Sequence, residues 1–176
     1  MVAAPAVASL RKSAATRESR RDSRDIDAMN PLRAIAYVST ATREPSEGDL
    51  EALLTDARDF NQQAGVTGAL LLHDVTFFQY FEGPPSGVEQ VYERIRKSSL
   101  HRDIHQLLDT PIGRREFARW HMGFQVSPKS LVLQLAGASW TASVPNMPSG
   151  RAASDGLQLL LDFWHRSRRS LPGGSP

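Results

Sequence analysis

The side chains best placed to do chemistry are uncharged polar residues set within apolar segments. Gln79 lies in the middle of "FFQYFEG", residues 77–83, a run with the aromatic content of a buried strand. Tyr37 lies inside "LRAIAYVST", and Asn61 lies near the end of an amphipathic segment. A buried side-chain amide costs free energy unless it is hydrogen-bonded. We therefore expect Gln79 to be satisfied within the core, or to face a group that needs both a donor and an acceptor.

These residues fit one kind of pocket. Trp120 and Met122 are two apart on a predicted strand, so we expect them to share a face. Tyr37 and Gln79 belong to strands predicted to be neighbours, and Asn61 can reach the same space. None of the five is charged, which points away from acid–base catalysis and towards a pocket for a flat heteroaromatic ring with carbonyls and ring nitrogens. Each residue taken alone is more often simple packing, and periodicity alone favours that interpretation.

Composition and motifs exclude several other functions. The chain has no cysteine, which rules out disulfides, thiolate metal sites and cysteinyl–flavin photochemistry. It has no phosphate loop, dinucleotide glycine fingerprint or HExxH pair. A net charge of +2 gives little support to a nucleic-acid partner. No apolar run reaches the length of a membrane span and no secretory signal is found, so we expect a cytoplasmic protein without a membrane partner.

Hydrophobic periodicity predicts the elements that hold these residues. They are a strand at "LRAIAYVST", a helix over about 47–63, a hairpin of Val66–Leu72 and Thr76–Glu82, a helix at "PPSGVEQVYERIRKSS", and strands at "HRDIHQLLDTPI" and "REFARWHMGFQV". Ser46 or Asp49 is expected to cap the first helix, Gly65 to end it, and Ser86 to cap the second. The βαββαββ order predicts an α+β, ferredoxin-like fold with a five-stranded mixed sheet and two helices on one face.

The domain organisation follows from the same patterns. We predict a disordered basic leader over 1–30, a folded domain over 31–126, a C-terminal helical extension over 127–170 and a disordered tail over 171–176. The last amphipathic helix, in "DGLQLLLDFWHRSR", is expected to cover the second face of the sheet. About 50 residues follow Phe124, fewer than a cyclase or phosphodiesterase domain needs, so we expect output through a separate protein.

Four motifs in this order resemble those of a BLUF domain, the blue-light sensor that uses FAD. They are Tyr-x-Ser from Tyr37 to Ser39, Asn-x-x-x-Gly-Val-Thr-Gly from Asn61 to Gly68, Phe-x-Gln-x-x-Glu-Gly from Phe77 to Gly83, and Trp-His-Met from Trp120 to Met122. The resemblance covers about residues 32–125. The fold it implies is the one that periodicity predicts.

The resemblance implies a photoreceptor rather than an enzyme, with FAD bound non-covalently between the two helices. Gln79 would hydrogen-bond both the flavin ring and Tyr37. Blue light would drive electron and proton transfer from Tyr37 to the flavin, and Gln79 would then rotate or tautomerise. An amide suits this role because it donates at one end and accepts at the other.

The resemblance also implies roles for further residues. The implied cofactor-binding set is Tyr37, Ser39, Asn61, Phe77, Gln79, Arg94, His101 and Met122, and the implied photoactive set is Tyr37, Gln79, Trp120 and Met122. Asn61 would anchor the polar edge of the ring, and Arg94 would contact the flavin side chain or its phosphates. Trp120 and Met122 would relay the change outward, and Trp120 would also compete as an electron donor.

The chain departs from the family pattern at Ser98 and Leu100, where the family often has Asp and Arg, which implies weaker contacts to the ribityl or diphosphate part. The short members of the family signal by changing contacts with a separate effector protein, often as homo-oligomers. Two alternatives stay open. One is a ferredoxin-like nucleic-acid binder that stacks bases on sheet aromatics. The other is a BLUF-derived protein-binding module without a light response.

Overall fold

A single mixed sheet organises the structure, a computed structural model that describes residues 31–140 and 154–169. The predicted leader and tail lie outside these residues. The strands are β1 Leu32–Ala41, β2 Thr67–His73, β3 Thr76–Gly83, β4 His101–Ile112 and β5 Gly123–Val126, and the helices are α1 Glu47–Gln63, α2 Pro85–Lys97, α3 Lys129–Gly137 and α4 Asp155–Arg169.

The strand order is β4-β1-β3-β2-β5. β1 runs antiparallel to β3 and β4, β2 runs antiparallel to β3, and β5 runs parallel to β2. This is the ferredoxin-like arrangement with one added strand, so the predicted fold class is confirmed. β1 and β3 are the central strands, and apolar side chains cover both of their faces.

Helix α1 begins and ends where the sequence predicts. Ser46 is the N-cap, and its hydroxyl accepts a hydrogen bond from the backbone N–H of Asp49 at 3.2 Å. The carboxylate of Asp49 accepts one in return from the N–H of Ser46 at 2.9 Å, which completes a capping box. Gly65 follows the C-cap with φ of 65°, a conformation that glycine adopts without steric cost.

Helix α2 begins two residues earlier than its predicted cap implies, since its N-cap is Pro84 rather than Ser86. Pro84 occupies the N-cap position and Pro85 begins the helix, so the prediction of Ser86 as N-cap is wrong. Proline suits the first helical position because it lacks the backbone N–H that would be unpaired there, and its φ is already helical. The helix buries Val88 and Val91 against the sheet, as its apolar spacing predicts.

The two faces of the sheet carry separate cores. Ile35, Tyr37 and Phe81 face α1 and α2, whereas Ala36, Phe78 and Tyr80 face the opposite way. The second face is covered by α3 and α4 through Leu131, Leu135, Leu160 and Trp164. The expectation that the last amphipathic helix covers this face is confirmed.

The predicted last strand is wrong over most of its length. β5 contains only Gly123–Val126, and residues 113–122 form turns and bends. Phe117 and Trp120 are three residues apart, an odd spacing that cannot hold both side chains on one face of a strand. The backbone N–H of Trp120 instead closes a turn on the carbonyl of Phe117 at 3.2 Å.

Candidate functional site

A buried tyrosine–glutamine pair forms the centre of the candidate site. Tyr37 on β1 lies directly opposite Gln79 on β3 in the antiparallel register. The Tyr37 hydroxyl donates to Oε1 of Gln79 at 2.5 Å. Tyr37 is 0% exposed and Gln79 is 6% exposed. Burial raises the pKa of Tyr37 well above its ordinary value, so the phenol stays protonated at neutral pH and keeps its role as donor.

Gln79 uses the two ends of its amide in different ways. Oε1 accepts from Tyr37, while Nε2 donates to the sulfur of Met122 at 3.5 Å. A thioether is a weak acceptor. The tyrosine side of the amide is therefore strongly paired, and the other side makes a contact that a better acceptor would readily replace.

Two side chains of α1 hold the backbone next to Met122. Asn61 is buried, and its Nδ2 donates to the carbonyl of His121 at 2.6 Å. Arg58 donates through Nε to the carbonyl of Met122 at 3.1 Å. His121 is also anchored by its ring, since Nδ1 lies 3.0 Å from the carbonyl of Val66. Asn61 therefore lies within reach of the site, as the sequence predicts, and fixes the segment that carries Met122.

A second polar pair lies at the other side of Tyr37. The hydroxyl of Ser39 lies 2.9 Å from Nδ1 of His101, the first residue of β4. The His101 ring packs against Phe77 at 5.1 Å and lies edge-on to Tyr37 at 6.2 Å between ring centroids. Burial lowers the pKa of His101, which keeps its imidazole neutral at pH 7.

Arg94 joins the two helices at the surface. Its guanidinium, on α2, forms an ion pair with Asp56 of α1. It also lies over the ring of Phe60, 4.6 Å from the centroid. Both charged partners are exposed, so this cation lies at the solvent edge of the space between α1 and α2 rather than among the buried residues.

Trp120 and Met122 lie on different sides of the sheet, and the prediction that they share a face is wrong. Met122 is buried beside Gln79 among the residues under α1. Trp120 packs with the second core, and its ring meets Trp164 of α4 edge to face at 5.7 Å. Only Met122 of this pair touches the tyrosine–glutamine centre.

Two residues near the site, Glu82 and Arg115, make contacts that no pattern in the sequence predicts. Glu82 is fully buried on the second face, where Oε1 accepts from the N–H of Phe117 at 2.5 Å and Oε2 from the hydroxyl of Tyr80 at 2.9 Å. Arg115 donates to the carbonyl of Gly65 at 2.8 Å. The Phe-x-Gln-x-x-Glu-Gly motif contains Glu82, but alternation alone does not tell a buried carboxylate from a solvated one.

The assembled site is neutral and largely apolar. Its polar atoms are the Gln79 and Asn61 amides, the Tyr37 and Ser39 hydroxyls and a neutral imidazole. Within residues 31–140 and 154–169 no group of three metal-ligating side chains is found. Base stacking on the sheet, as in the nucleic-acid alternative, requires exposed aromatics, whereas Phe77, Phe78 and Tyr80 are each at most 1% exposed. This arrangement can bind a flat, uncharged ring by apolar contact and amide hydrogen bonds.

Comparison with known proteins gives one consistent family. The sequence profile of BLUF domains, described as sensors of blue-light using FAD, matches residues 32–123, just over half of the chain. The photoactivated adenylate cyclase subunit beta of Euglena longa is 36% identical over 90 residues, which are 51% of this chain and 10% of that protein. The blue light- and temperature-regulated antirepressor BluF of Escherichia coli strain K12 is 31% identical over 88 residues, or 50% of this chain and 22% of that protein.

The solved structures agree with the sequence relatives. The dark-state structure of BlrB, a BLUF protein, is 25% identical with a TM-score of 0.60, covering 79% of this chain and 98% of that one. The chain spans about a tenth of the length of the cyclase relatives. In the part of the chain that the structure describes, no helix has both the length and the apolar character needed to cross a membrane.

Proposed function

The chain belongs to the BLUF family, the sensors of blue light that use FAD, and we propose that it is a photoreceptor whose light signal starts at the Tyr37–Gln79 hydrogen bond. The proposal goes beyond membership because it assigns the reacting atoms in this chain. It is carried by one observation: Gln79 accepts from Tyr37 at 2.5 Å, and the one acceptor that its Nε2 meets among the described residues is the weakly accepting sulfur of Met122.

The residues around this pair fit a flavin ring. The ring needs donors and acceptors on one edge and apolar contact on its faces, and Gln79 and Asn61 supply amides within an apolar surrounding of Leu54, Leu70 and Phe77. Ser39 and His101 supply a further neutral pair. Arg94 lies at the solvent edge between the helices, where exchange of Asp56 for a phosphate oxygen would keep its charge paired.

FAD, when bound, supplies the blue-light absorption and accepts an electron on excitation. Tyr37 is the donor, because its phenol is buried, neutral and already directed at Oε1 of Gln79. Loss of an electron makes the phenol strongly acidic, so its proton would move along the 2.5 Å hydrogen bond to Oε1, and Nε2 would give up one of its own protons to the bound cofactor, which keeps Gln79 neutral. Rotation of the Gln79 amide, or its tautomerisation, then changes which end donates. Return of the electron and proton to Tyr37 leaves a different hydrogen-bond pattern.

Met122 is the first residue outside the pair to register this change. A rotated Gln79 would turn Oε1 towards the Met122 sulfur in place of the donating Nε2. The backbone of Met122 is bonded to Arg58, and that of its neighbour His121 to Asn61. A shift of Met122 therefore acts on the segment beside β5 and on α1. We propose that a separate effector protein reads this surface, and the expected homo-oligomer stays a prediction.

The experiment is an absorption spectrum of the purified, FAD-loaded chain before, during and after blue light. We expect the flavin band to move to longer wavelength under light and to return in the dark, because altered hydrogen bonding retunes the cofactor without a net change of oxidation state. Tyr37→Phe and Gln79→Leu should each abolish the shift. Tyr80→Phe is the matched control: Tyr80 lies on β3 beside Gln79 but faces the second core, so the shift should persist.

Two results contradict the proposal. If the chain binds flavin but the absorption band stays unchanged or bleaches under light, the sensor function is wrong, although the cofactor site is supported. A shift of ordinary size in Tyr37→Phe removes the assignment of Tyr37 as the donor.

A further inference from the structure

An open cleft lies beside the residues that register the change at Gln79. It has a volume of about 510 Å³, and its walls come from α1, the segment around Met122, the start of β5 and Trp164 of α4. Arg58, Arg119 and His121 line it, and none of the lining residues is an aspartate or a glutamate. The cleft is thus basic and aromatic without an internal counter-charge.

Its arginines differ from most of the others that the structure describes. Most described arginines pair with a carboxylate of the same chain: Arg33, Arg43, Arg94, Arg96, Arg102 and Arg114. Arg58 donates to the Met122 carbonyl, and neither Arg58 nor Arg119 pairs with a carboxylate of residues 31–140 or 154–169. A guanidinium forms its strongest hydrogen bonds with carboxylates, and these two have that capacity unused.

Trp164, which lines the cleft, carries a buried donor with no acceptor among the described residues. Trp164 is 4% exposed, and its indole N–H is buried with no hydrogen-bond partner among the described residues. Native proteins pair nearly all buried polar groups, so an unpaired one calls for an explanation such as an unseen partner. The cleft thus combines two arginines that have no carboxylate partner among the described residues with the aromatic faces of Trp120 and Trp164.

We propose that this cleft binds an acidic segment of the effector protein, one in which carboxylates flank an aromatic or large apolar side chain. The carboxylates would pair with Arg58 and Arg119, and the apolar side chain would pack on the tryptophans. Tryptophan and arginine are also the residues that most often dominate binding energy at protein interfaces. The light dependence of this binding, though not the binding itself, rests on the proposed photoreceptor function.

One residue connects the cleft to the photoactive pair. Met122 contacts Gln79 through its sulfur and Arg58 through its carbonyl. A change in the direction of the Gln79 amide can therefore reach Arg58 through one residue, Met122, whose sulfur contacts Gln79 and whose carbonyl accepts from Arg58. We expect the affinity of the cleft for an acidic segment to differ between dark and light.

The cleft favours a protein segment over a nucleic acid. Tracking a phosphate backbone takes a stripe of many cations, and the whole chain carries a net charge of only +2. Two arginines within an aromatic cleft match a short peptide with a few carboxylates instead.

The test uses the full, FAD-loaded chain and a synthetic peptide with two glutamates on each side of a tryptophan. The peptide carries a red-absorbing dye, so that fluorescence anisotropy can be read without exciting the flavin. We expect saturable binding that weakens roughly tenfold when glutamines replace the glutamates, since charge-assisted hydrogen bonds are lost. Arg119→Glu should abolish binding. Arg102→Glu is the matched control, because Arg102 is exposed on β4 and pairs with its neighbour Asp103.

The outcomes separate this inference from the proposed function, because the flavin shift is recorded on the same samples. If the flavin band shifts normally but the peptide does not bind, the cleft is not a binding site and the proposed photoreceptor function is unaffected. If the peptide binds specifically but the flavin band does not shift, the cleft is a binding site and the proposed photoreceptor function is wrong. Equal losses in Arg119→Glu and Arg102→Glu, equal affinity for the glutamine peptide, or tighter binding of a single-stranded DNA of equal charge would each overturn the inference.

Discussion

The hydrogen bond between Tyr37 and Gln79 should be measurable as a coupling energy in a double-mutant cycle. Both partners are buried and their oxygens lie 2.5 Å apart. Tyr37→Phe leaves Oε1 of Gln79 without its donor, and a buried group left unsatisfied costs about 1–3 kcal/mol. Gln79→Leu leaves the Tyr37 hydroxyl unsatisfied at a similar cost, part of which the added apolar burial offsets. The double variant removes both polar groups, so its destabilisation should fall short of the sum by about 1–2 kcal/mol.

The assay is urea unfolding in the dark, with FAD at one fixed excess in all samples because ligand binding raises the apparent stability. The free energies of unfolding come from linear extrapolation, with the slope required to stay the same across the cycle. The flavin shift recorded in parallel should be absent from both single variants and from the double variant. Loss of the shift and a positive coupling energy together would tie the signal to this one bond.

Additivity would refute the reasoning. If the double variant equals the sum of the single variants within about 0.5 kcal/mol, the two side chains are not energetically coupled. Gln79→Leu combined with Tyr80→Phe gives the matched control cycle. Those side chains point to opposite faces of the sheet, so that cycle should be additive.

Three further predictions concern other residues. Burial raises the pKa of Glu82 above its ordinary value of 4.5, so the folded chain holds this proton more tightly than the unfolded chain. The free energy of unfolding of the wild type relative to Glu82→Gln should therefore fall as pH rises from 4.5 through the raised pKa, measured as urea midpoints against pH. Gly123→Ala places a methyl group into the ring of Trp164 and should destabilise the fold by about 1–3 kcal/mol, whereas Gly137→Ala, with nothing within 4 Å of the added atom, should not. Arg94→Ala should weaken FAD binding about tenfold more than riboflavin binding in fluorescence titrations, since riboflavin has no phosphate; equal losses would place Arg94 away from the phosphates.

The sequence predicts the fold and the centre of the site because both depend on regular periods. Alternation along β1 and β3 gives each strand two apolar faces, and pairing in a ferredoxin-like sheet then brings Tyr37 opposite Gln79. The bounds of α1 follow from local signals, namely the Ser46 capping box and Gly65. The capping box and Gly65 are decided within a few residues of the chain, and the β1–β3 pairing follows once the fold class is known.

The segment before β5 could not be predicted in the same way. Its course is set by distant partners, since Glu82 bonds the backbone of Phe117 and Arg115 bonds that of Gly65. These contacts join residues 35 and 50 positions apart, and no local pattern encodes them. The exchange of sides between Trp120 and Met122 follows from this turn, which is why alternation placed them wrongly on one face.

The central position of β1 also governs how the chain reaches its folded state. Leu32 pairs with Ile112 and Arg33 with Gly83, so β1 has no partner among the described strands until β3 and β4 have been synthesised. The β2–β3 hairpin, in contrast, closes between His73 and Thr76 and can form at once. Such late, non-local pairing slows folding, because the entropy of loop closure is lost before the stabilising contacts between the strands form. Pairing of β1 with this hairpin is the step that brings Tyr37 to Gln79, so the proposed photoactive pair forms only after β3 has been synthesised and β1 has paired with it.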